Sequence, residues 1–303
     1  PAVAVSSALA GAVLGIADVA ARWPQLGLVG VLVALGVVIL IRLKRTRPLA
    51  VAGLASALAF SIFVPTRPPD SPTVVFLDVG QGDAVLLRDP AGRVALVDGG
   101  RDPLVLVEGL RRHHIGRIDL LVSRHGDADH VGGLDGIFAD HAVGRLWVPD
   151  HPHQGSEMES LVEEARGVGV PIDRVQPGIS YTLGSIGIEA LGPRRRYDAR
   201  NDGSIVLWVQ WEQTLLLPGD IGAVAQRELP PLQPDILLVP HHGSSSTDRS
   251  WLAATVGAVA VIRVGPNTYG HPAPEVQTVL NESGSDVRMT DVDGDVTVDL
   301  GRS

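Results

Sequence analysis

His125-Gly126-Asp127-Ala128-Asp129-His130 follows directly on the apolar run Ile118–Val122. Two imidazoles and two carboxylates within six residues, at a strand-to-helix junction, form a ligand set that suits Zn, Mn or Fe. A turn lets alternate side chains of such a segment converge on one point. The plainer alternative is a polar helix cap, with Asp127 or Asp129 capping a helix over Val131–Phe138. A cap uses one acid, however, whereas this segment carries two acids and two histidines. Gly132-Gly133, just beyond, allows close backbone approach.

Two further segments occupy the same position, at the carboxyl end of an apolar strand. One is Leu215-Leu216-Leu217-Pro218-Gly219-Asp220, the other Ile236-Leu237-Leu238-Val239-Pro240-His241-His242-Gly243-Ser244. Ligands gather at strand carboxyl ends in α/β sheets. Alone, Asp220 also reads as an ordinary turn residue, and His241 or His242 as a surface or capping histidine. Together with the first cluster, the metal reading accounts for all three.

Around these segments the chain alternates short β-rich runs with helices. Strands are expected at Val74–Leu77, Ala84–Leu87, Val94–Val97, Ile118–Val122, Arg145–Val148, Ile186–Leu191, Ile205–Val209, Thr214–Leu217, Ile236–Val239 and Ala258–Val264, with two more within Asp286–Leu300. Helices are expected over Pro103–His113, which starts on proline, and over Glu157–Gly167, Arg249–Val256 and Pro274–Asn281. This mixture of hairpins and crossovers implies an α/β fold with sheets covered by helices. No fixed-period repeat is visible.

The first seventy residues differ physically from the rest. Residues 1–73 hold six basic and two acidic residues, against 19 basic and 32 acidic in the remainder. Ala2–Ala17, Gln25–Ile41 and Leu49–Val64 are apolar and rich in Gly and Ala. They are expected to be about three transmembrane helices over 1–64, part of a larger membrane domain; a buried helical hairpin is the alternative. The start at Pro1 rather than Met suggests a fragment of something longer. Arg42-Leu43-Lys44-Arg45-Thr46-Arg47 lies between the second and third stretches. Basic short loops stay cytoplasmic, which would place the domain at 74–303 on the outer side of the membrane. Residues 65–73 form a proline-dense linker. The composition, 45% hydrophobic and 19% charged, excludes a disordered or collagen-like chain, and the absence of cysteine excludes disulfides and thiolate metal sites.

The cluster His125-x-Asp127-x-Asp129-His130, with Asp220 and His241, resembles the metallo-β-lactamase hydrolase superfamily. More narrowly, Phe76-Leu77-Asp78-Val79-Gly80-Gln81-Gly82-Asp83-Ala84, Val97-Asp98-Gly99-Gly100, Pro240-His241-His242-Gly243-Ser244 and Asn267-Thr268-Tyr269-Gly270-His271-Pro272 resemble the C-terminal domain of the ComEC family of DNA-internalisation channel proteins. The resemblance covers about residues 73–300. It implies a four-layer αββα sandwich with two divalent transition-metal ions, Zn or Mn, at its edge. His125 and Asp127 would belong to the first site, Asp129, His130 and His241 to the second, and Asp220 would bridge. Two departures stand out. Asp127 replaces a second histidine, and a later histidine has no counterpart, Asn201 or Asp202 being nearest. The first site is therefore expected to be weak or oxygen-rich.

The resemblance implies a membrane-tethered nuclease or phosphodiesterase that degrades one DNA strand during uptake. Asp129 would orient or deprotonate water, and His242 or His271 would protonate a leaving oxygen; His271 also reads as a turn residue before Pro272. Asn201, Asp202 and Ser244 are candidates for substrate contact. Single-stranded DNA, the membrane and other components of a competence machinery are the expected partners. An acidic domain with 4% aromatic residues is a poor autonomous DNA binder. Two basic clusters, Arg111–His114 with Arg117 and Arg194–Arg196 with Arg200, read equally as solvated surface. A channel delivering the strand would raise its effective concentration. The competing functions are hydrolysis of another ester, as in a phosphorylcholine esterase or lactonase, and a non-catalytic DNA-gating module.

Overall fold

The computed structural model describes residues 69–150 and 155–301, which lie within one compact unit, Pro68–Ser303. The three apolar stretches lie outside the described residues. Among the described residues no helix is long and apolar enough to cross a membrane.

Two seven-stranded sheets form the centre. The first takes β1 (Thr73–Phe76), β2 (Val85–Arg88), β3 (Val94–Val97), β4 (Leu120–Val122), β5 (Leu146–Pro149) and β6 (Ile172–Val175) in chain order. The second takes β7 (Ser180–Leu183), β8 (Ile186–Gly192), β9 (Val206–Gln210), β10 (Thr214–Leu217), β11 (Ile236–Leu238), β12 (Val259–Ile262) and β13 (Asp286–Met289). The chain then returns to the first sheet, where β14 (Val296–Asp299) pairs with β1. Each sheet is antiparallel on one side and parallel on the other: β3 to β6 run parallel in the first, β10 to β13 in the second.

Burial explains the layers. Val74, Phe76, Val85, Leu87, Val97 and Val122 of the first sheet face Ile188, Leu207, Leu215, Leu217, Ile236 and Leu238 of the second in one core. The alternate residues of the same strands point outward onto helices, as period-two geometry requires. Helices α1 (Pro103–Arg112), α2 (Ala128–Val131), α3 (Ile137–Asp140) and α4 (Ser156–Gly167) cover the first sheet. Helices α5 (Ala223–Glu228), α6 (Arg249–Thr255) and α7 (Pro274–Ser283) cover the second, and the short α8 (Thr290–Asp293) precedes β14. The αββα arrangement implied by the resemblance is thus the one formed. The strands β3, β4, β5 and β11 are buried throughout, so they read as unbroken apolar runs rather than alternating ones.

Several elements differ from the sequence expectation. The helix expected over Val131–Phe138 is instead α2, a 3₁₀ turn over Gly132–Leu134, and α3. The break is a packing requirement: a Cβ on Gly133 would lie 1.9 Å from the Gly99 carbonyl oxygen, so the chain passes there only as glycine. Strands β6 and β7 and helix α5 were not anticipated. Ile172-Asp173-Arg174-Val175 and Ser180-Tyr181-Thr182-Leu183 are short and carry polar side chains, which weakens their β signal.

The register sets the carboxyl ends of the parallel strands side by side. Val97 pairs with Val122, Leu216 with Leu237, and Leu238 with Val261. The residues that follow these strands emerge along one edge of the sandwich.

Candidate metal centre

α2 is a single turn, and it carries Asp129 and His130. It is held by backbone hydrogen bonds from outside: Asp83 N–H donates to Asp129 O at 3.1 Å, and Gly99 N–H to His130 O at 2.7 Å. Gly82 lies so close that an added Cβ would stand 2.1 Å from the Asp129 carbonyl oxygen. Asp127 occupies the position before the helix, yet its carboxylate makes no capping bond. It receives Arg200 Nη1 at 2.6 Å instead. The cap alternative therefore does not describe this segment.

Asp220, after β10, is the point of convergence. Its Oδ2 lies 3.2 Å from His130 Nε2, 3.7 Å from His242 Nε2, 3.8 Å from His241 Nε2 and 3.9 Å from His125 Nε2. His242 Nε2 also lies 3.5 Å from Asp129 Oδ2, and His125 Nε2 3.6 Å from Asp127 Oδ2. Ligand atoms of His125, His130 and Asp220 fall within 4.8 Å of one another, as do those of Asp129, His130 and His242. The Nε2 atoms of His125, His130 and His242, with Oδ1 of Asp220, are buried and have no hydrogen-bond partner. Buried polar atoms are seldom left so. Lone pairs of three imidazoles and two carboxylates aimed at a common space, unbridged by hydrogen bonds, are the donor set a divalent transition metal takes. The residues fit the ion.

The ring tautomers are set from behind. His130 Nδ1 lies 2.8 Å from Asp98 Oδ2, and His242 Nδ1 lies 3.0 Å from the Arg263 carbonyl oxygen. A donating Nδ1–H leaves Nε2 as the free acceptor in both rings. His241 and His242 both adopt left-handed backbone, with φ of 50° and 54°. Consecutive non-glycine residues there cost about 1 kcal/mol or more each. The turn presents two successive rings toward Asp220. His242 is buried, whereas His241 is partly exposed and is held at both nitrogens, by Asn201 Nδ2 at 3.4 Å and Ser246 Oγ at 3.3 Å.

The other sequence candidates take distinct places. Asp202 accepts the Gly222 N–H at 2.7 Å and braces the loop after Asp220. The Ser244 hydroxyl accepts from Ser246, so it is used inside the histidine turn. His271 Nδ1 lies 3.1 Å from the His241 carbonyl oxygen, and its ring centroid is 5.5 Å from that of His241.

Below the ligands lies a charged layer that the sequence reading passed over. Arg124 and Arg263 are fully buried. Arg124 donates from N and Nε to the two oxygens of Asp98, each at 2.7 Å, and pairs through Nη2 with Asp83. Arg263 Nη1 lies 3.5 Å from Asp83 Oδ1, and its Nη2 donates to the Leu77 carbonyl at 3.0 Å. Asp83, Asp98 and His130 also stand close enough together to suggest a metal, but two guanidinium groups already occupy their charge. Burial alone would raise the Asp220 carboxyl, yet the neighbouring His130 and His242 rings hold it well below the usual carboxylate range. Burial alone would lower His130, and Asp220 with Asp98 raises it well above its usual value. Asp220 likewise raises His242 against its burial, so the acids around these two rings favour positive charge at the point where the ligand atoms meet. The one sequence signal for this layer was Arg263, a lone charge at the end of an apolar strand.

The profile of the metallo-beta-lactamase superfamily matches residues 77–261. Among solved structures, the metallo-beta-lactamase fold protein YhfI from Bacillus subtilis aligns with a TM-score of 0.52 at 11% identity, covering 75% of this chain and 99% of that one. CmlA, a diiron β-hydroxylase from Streptomyces venezuelae, aligns with a TM-score of 0.53 at 17% identity, covering 77% and 55%. The chain belongs to the metallo-beta-lactamase superfamily. Within it, its homologues are competence proteins of the ComEC family. ComE operon protein 3 of Bacillus subtilis is 28% identical over 271 residues, covering 80% of this chain and 35% of that protein. Competence protein ComA of Neisseria gonorrhoeae is 29% identical, covering 84% and 36%. Recombination protein 2 of Haemophilus influenzae is 29% identical, covering 74% and 28%. The chain thus spans about a third of the length of these curated relatives.

Proposed function

We propose that this chain is a metal-dependent phosphodiesterase that cuts single-stranded DNA at a competence uptake channel. The observation that carries the reading is the convergence of the unpartnered Nε2 atoms of His125, His130 and His242 on Asp220. The similarity to a competence protein supports DNA as the substrate class. The three apolar stretches over 1–64 would tether the domain at 74–303, through the 65–73 linker, to the outer side of a bacterial membrane.

A bound divalent cation pair supplies an activated water near neutral pH and charge to offset the phosphoryl oxygens. His125, Asp127 and Asp220 would hold the first ion, and Asp129, His130, His242 and Asp220 the second. His241 would stand at the rim, oriented by Asn201 and Ser246. The oxygen-rich first site suits Mn better than a three-histidine site would. Asp129, more exposed than Asp220, would orient the water and take its proton on the oxygen turned away from the ion. His271 keeps Nδ1–H on the His241 carbonyl, and in its imidazolium form its Nε2–H would be given to the departing oxygen, leaving the neutral ring. Asp127 is neutralised by Arg200, which would stand beside an incoming phosphate.

The full chain is tested for metal content and for cleavage of a single-stranded oligonucleotide, with Asp220→Ala as control. The expected result is one or two transition-metal ions per chain and cleavage that a chelator abolishes and Mn restores. Metal-loaded protein that hydrolyses a small ester but no DNA would sink the proposal in favour of another ester substrate. Metal binding without any hydrolysis would favour the gating role.

A further inference from the structure

We propose that Tyr269 is a stacking platform for a nucleobase at the rim of the metal centre. The inference rests on the phosphodiesterase reading and adds to it the part of the substrate that is gripped. Tyr269 is 67% exposed, and among the described residues it is the one exposed aromatic side chain. Its place is beside the centre. Its ring stands 5.8 Å, edge-on, from that of His271, which in turn lies 6.4 Å from His242.

The loop that carries it is held in one shape. Asn267 Oδ1 accepts from the backbone N–H of Tyr269 and of His271, each at 3.1 Å. Its Nδ2 donates to the Gly265 and His271 carbonyls at 3.0 and 2.9 Å. All hydrogen-bonding capacity of one amide is therefore spent on fixing the loop, and the product is a ring facing solvent. An exposed aromatic on a rigid support loses little entropy on stacking. The domain is acidic, so phosphate attraction alone would hold a strand poorly. Base stacking supplies affinity that does not depend on net charge, and it is tolerant of sequence because every base has a π face. The chemical class recognised is thus an unpaired base of a single strand, whose ring is free to stack.

The test compares wild type, Tyr269→Ala and Tyr269→Trp in the Mn-loaded full chain. Two labelled strands of equal length are used, oligo-dT and its abasic analogue, which keeps the phosphates and lacks the bases. Binding is read by anisotropy and cleavage in parallel. Tyr269→Ala is expected to weaken oligo-dT binding about tenfold, to leave abasic binding unchanged, and to raise KM rather than lower kcat. Tyr269→Trp should restore wild-type affinity. Unchanged oligo-dT binding in Tyr269→Ala, or an equal loss on both strands, overturns the inference. If the wild type cuts neither strand yet prefers oligo-dT in a Tyr269-dependent way, the platform stands and the phosphodiesterase reading fails.

Discussion

His130 is tied to Asp98 through Nδ1 and Oδ2 at 2.8 Å, with both side chains fully buried. The same Asp98 oxygen receives Arg124 Nε, so one carboxylate fixes a ligand ring and a guanidinium together. Groups behind a metal ligand set its tautomer and basicity. Asp98→Asn is expected to lower Mn affinity about 10- to 100-fold, measured by isothermal titration. Unchanged affinity would show that the ring needs no support from behind.

His241 and His242 are adjacent but not equivalent. His242 lies 3.5 Å from Asp129 and is buried, while His241 reaches only Asp220 among the inner carboxylates and is tied to Asn201 and Ser246. His242→Ala should therefore lose more bound metal than His241→Ala, as read by elemental analysis of the purified proteins. The reverse order would assign the second site to His241.

Arg124 neutralises two buried carboxylates, Asp83 and Asp98. Removing one partner of a buried charge pair leaves the other without compensation, at about 3–5 kcal/mol. Arg124→Met should lower unfolding stability by that amount in a urea titration. The double variant Arg124→Met with Asp83→Asn should recover part of the loss, because one orphaned charge is removed.

Asp295 clamps the end of α1 to the loop before β14. It accepts from Arg112, from His113 Nε2 at 3.0 Å and from the Asp78 N–H at 2.8 Å. Burial pushes its carboxyl up, but these donors bring it down to about 2. A folded-state value below the unfolded one gives stability that is full above pH 4 and is lost as pH falls toward 2. Asp295→Asn should cost about 1 kcal/mol at pH 7, the site being partly open to solvent, and should flatten the stability curve between pH 4 and 2. Equal slopes for both proteins in that window would refute the assignment.

The strands were legible where composition was one-sided. Val94-Ala95-Leu96-Val97 and Thr214-Leu215-Leu216-Leu217 form strands with the expected bounds, because central strands of a covered sheet are apolar on both faces. The break after α2 was not legible, since Gly133 is required by Gly99, some thirty residues away, and no local pattern records that contact. Histidine and aspartate spacing brought His125, His130 and Asp220 into one set. The resemblance put His241 in the second site and His242 at the leaving oxygen, whereas left-handed backbone at both residues sets His242 Nε2 3.5 Å from Asp129 and leaves His241 nearer the rim. The arginine layer was hidden for a different reason. Nothing local to Arg124 marks it as buried, because its partners Asp83 and Asp98 come beside it only through the fold.

Arg263 leaves the end of β12 in the second sheet and reaches the Leu77 carbonyl and Asp83, both at the margin of the first. This bond crosses the seam between the halves. Although each half repeats the same sheet plan, neither can be lifted out as a self-sufficient module: cutting the chain between Val175 and Ser180 would strip Asp83 of one of its two guanidinium partners. Symmetry of design here does not mean autonomy of parts.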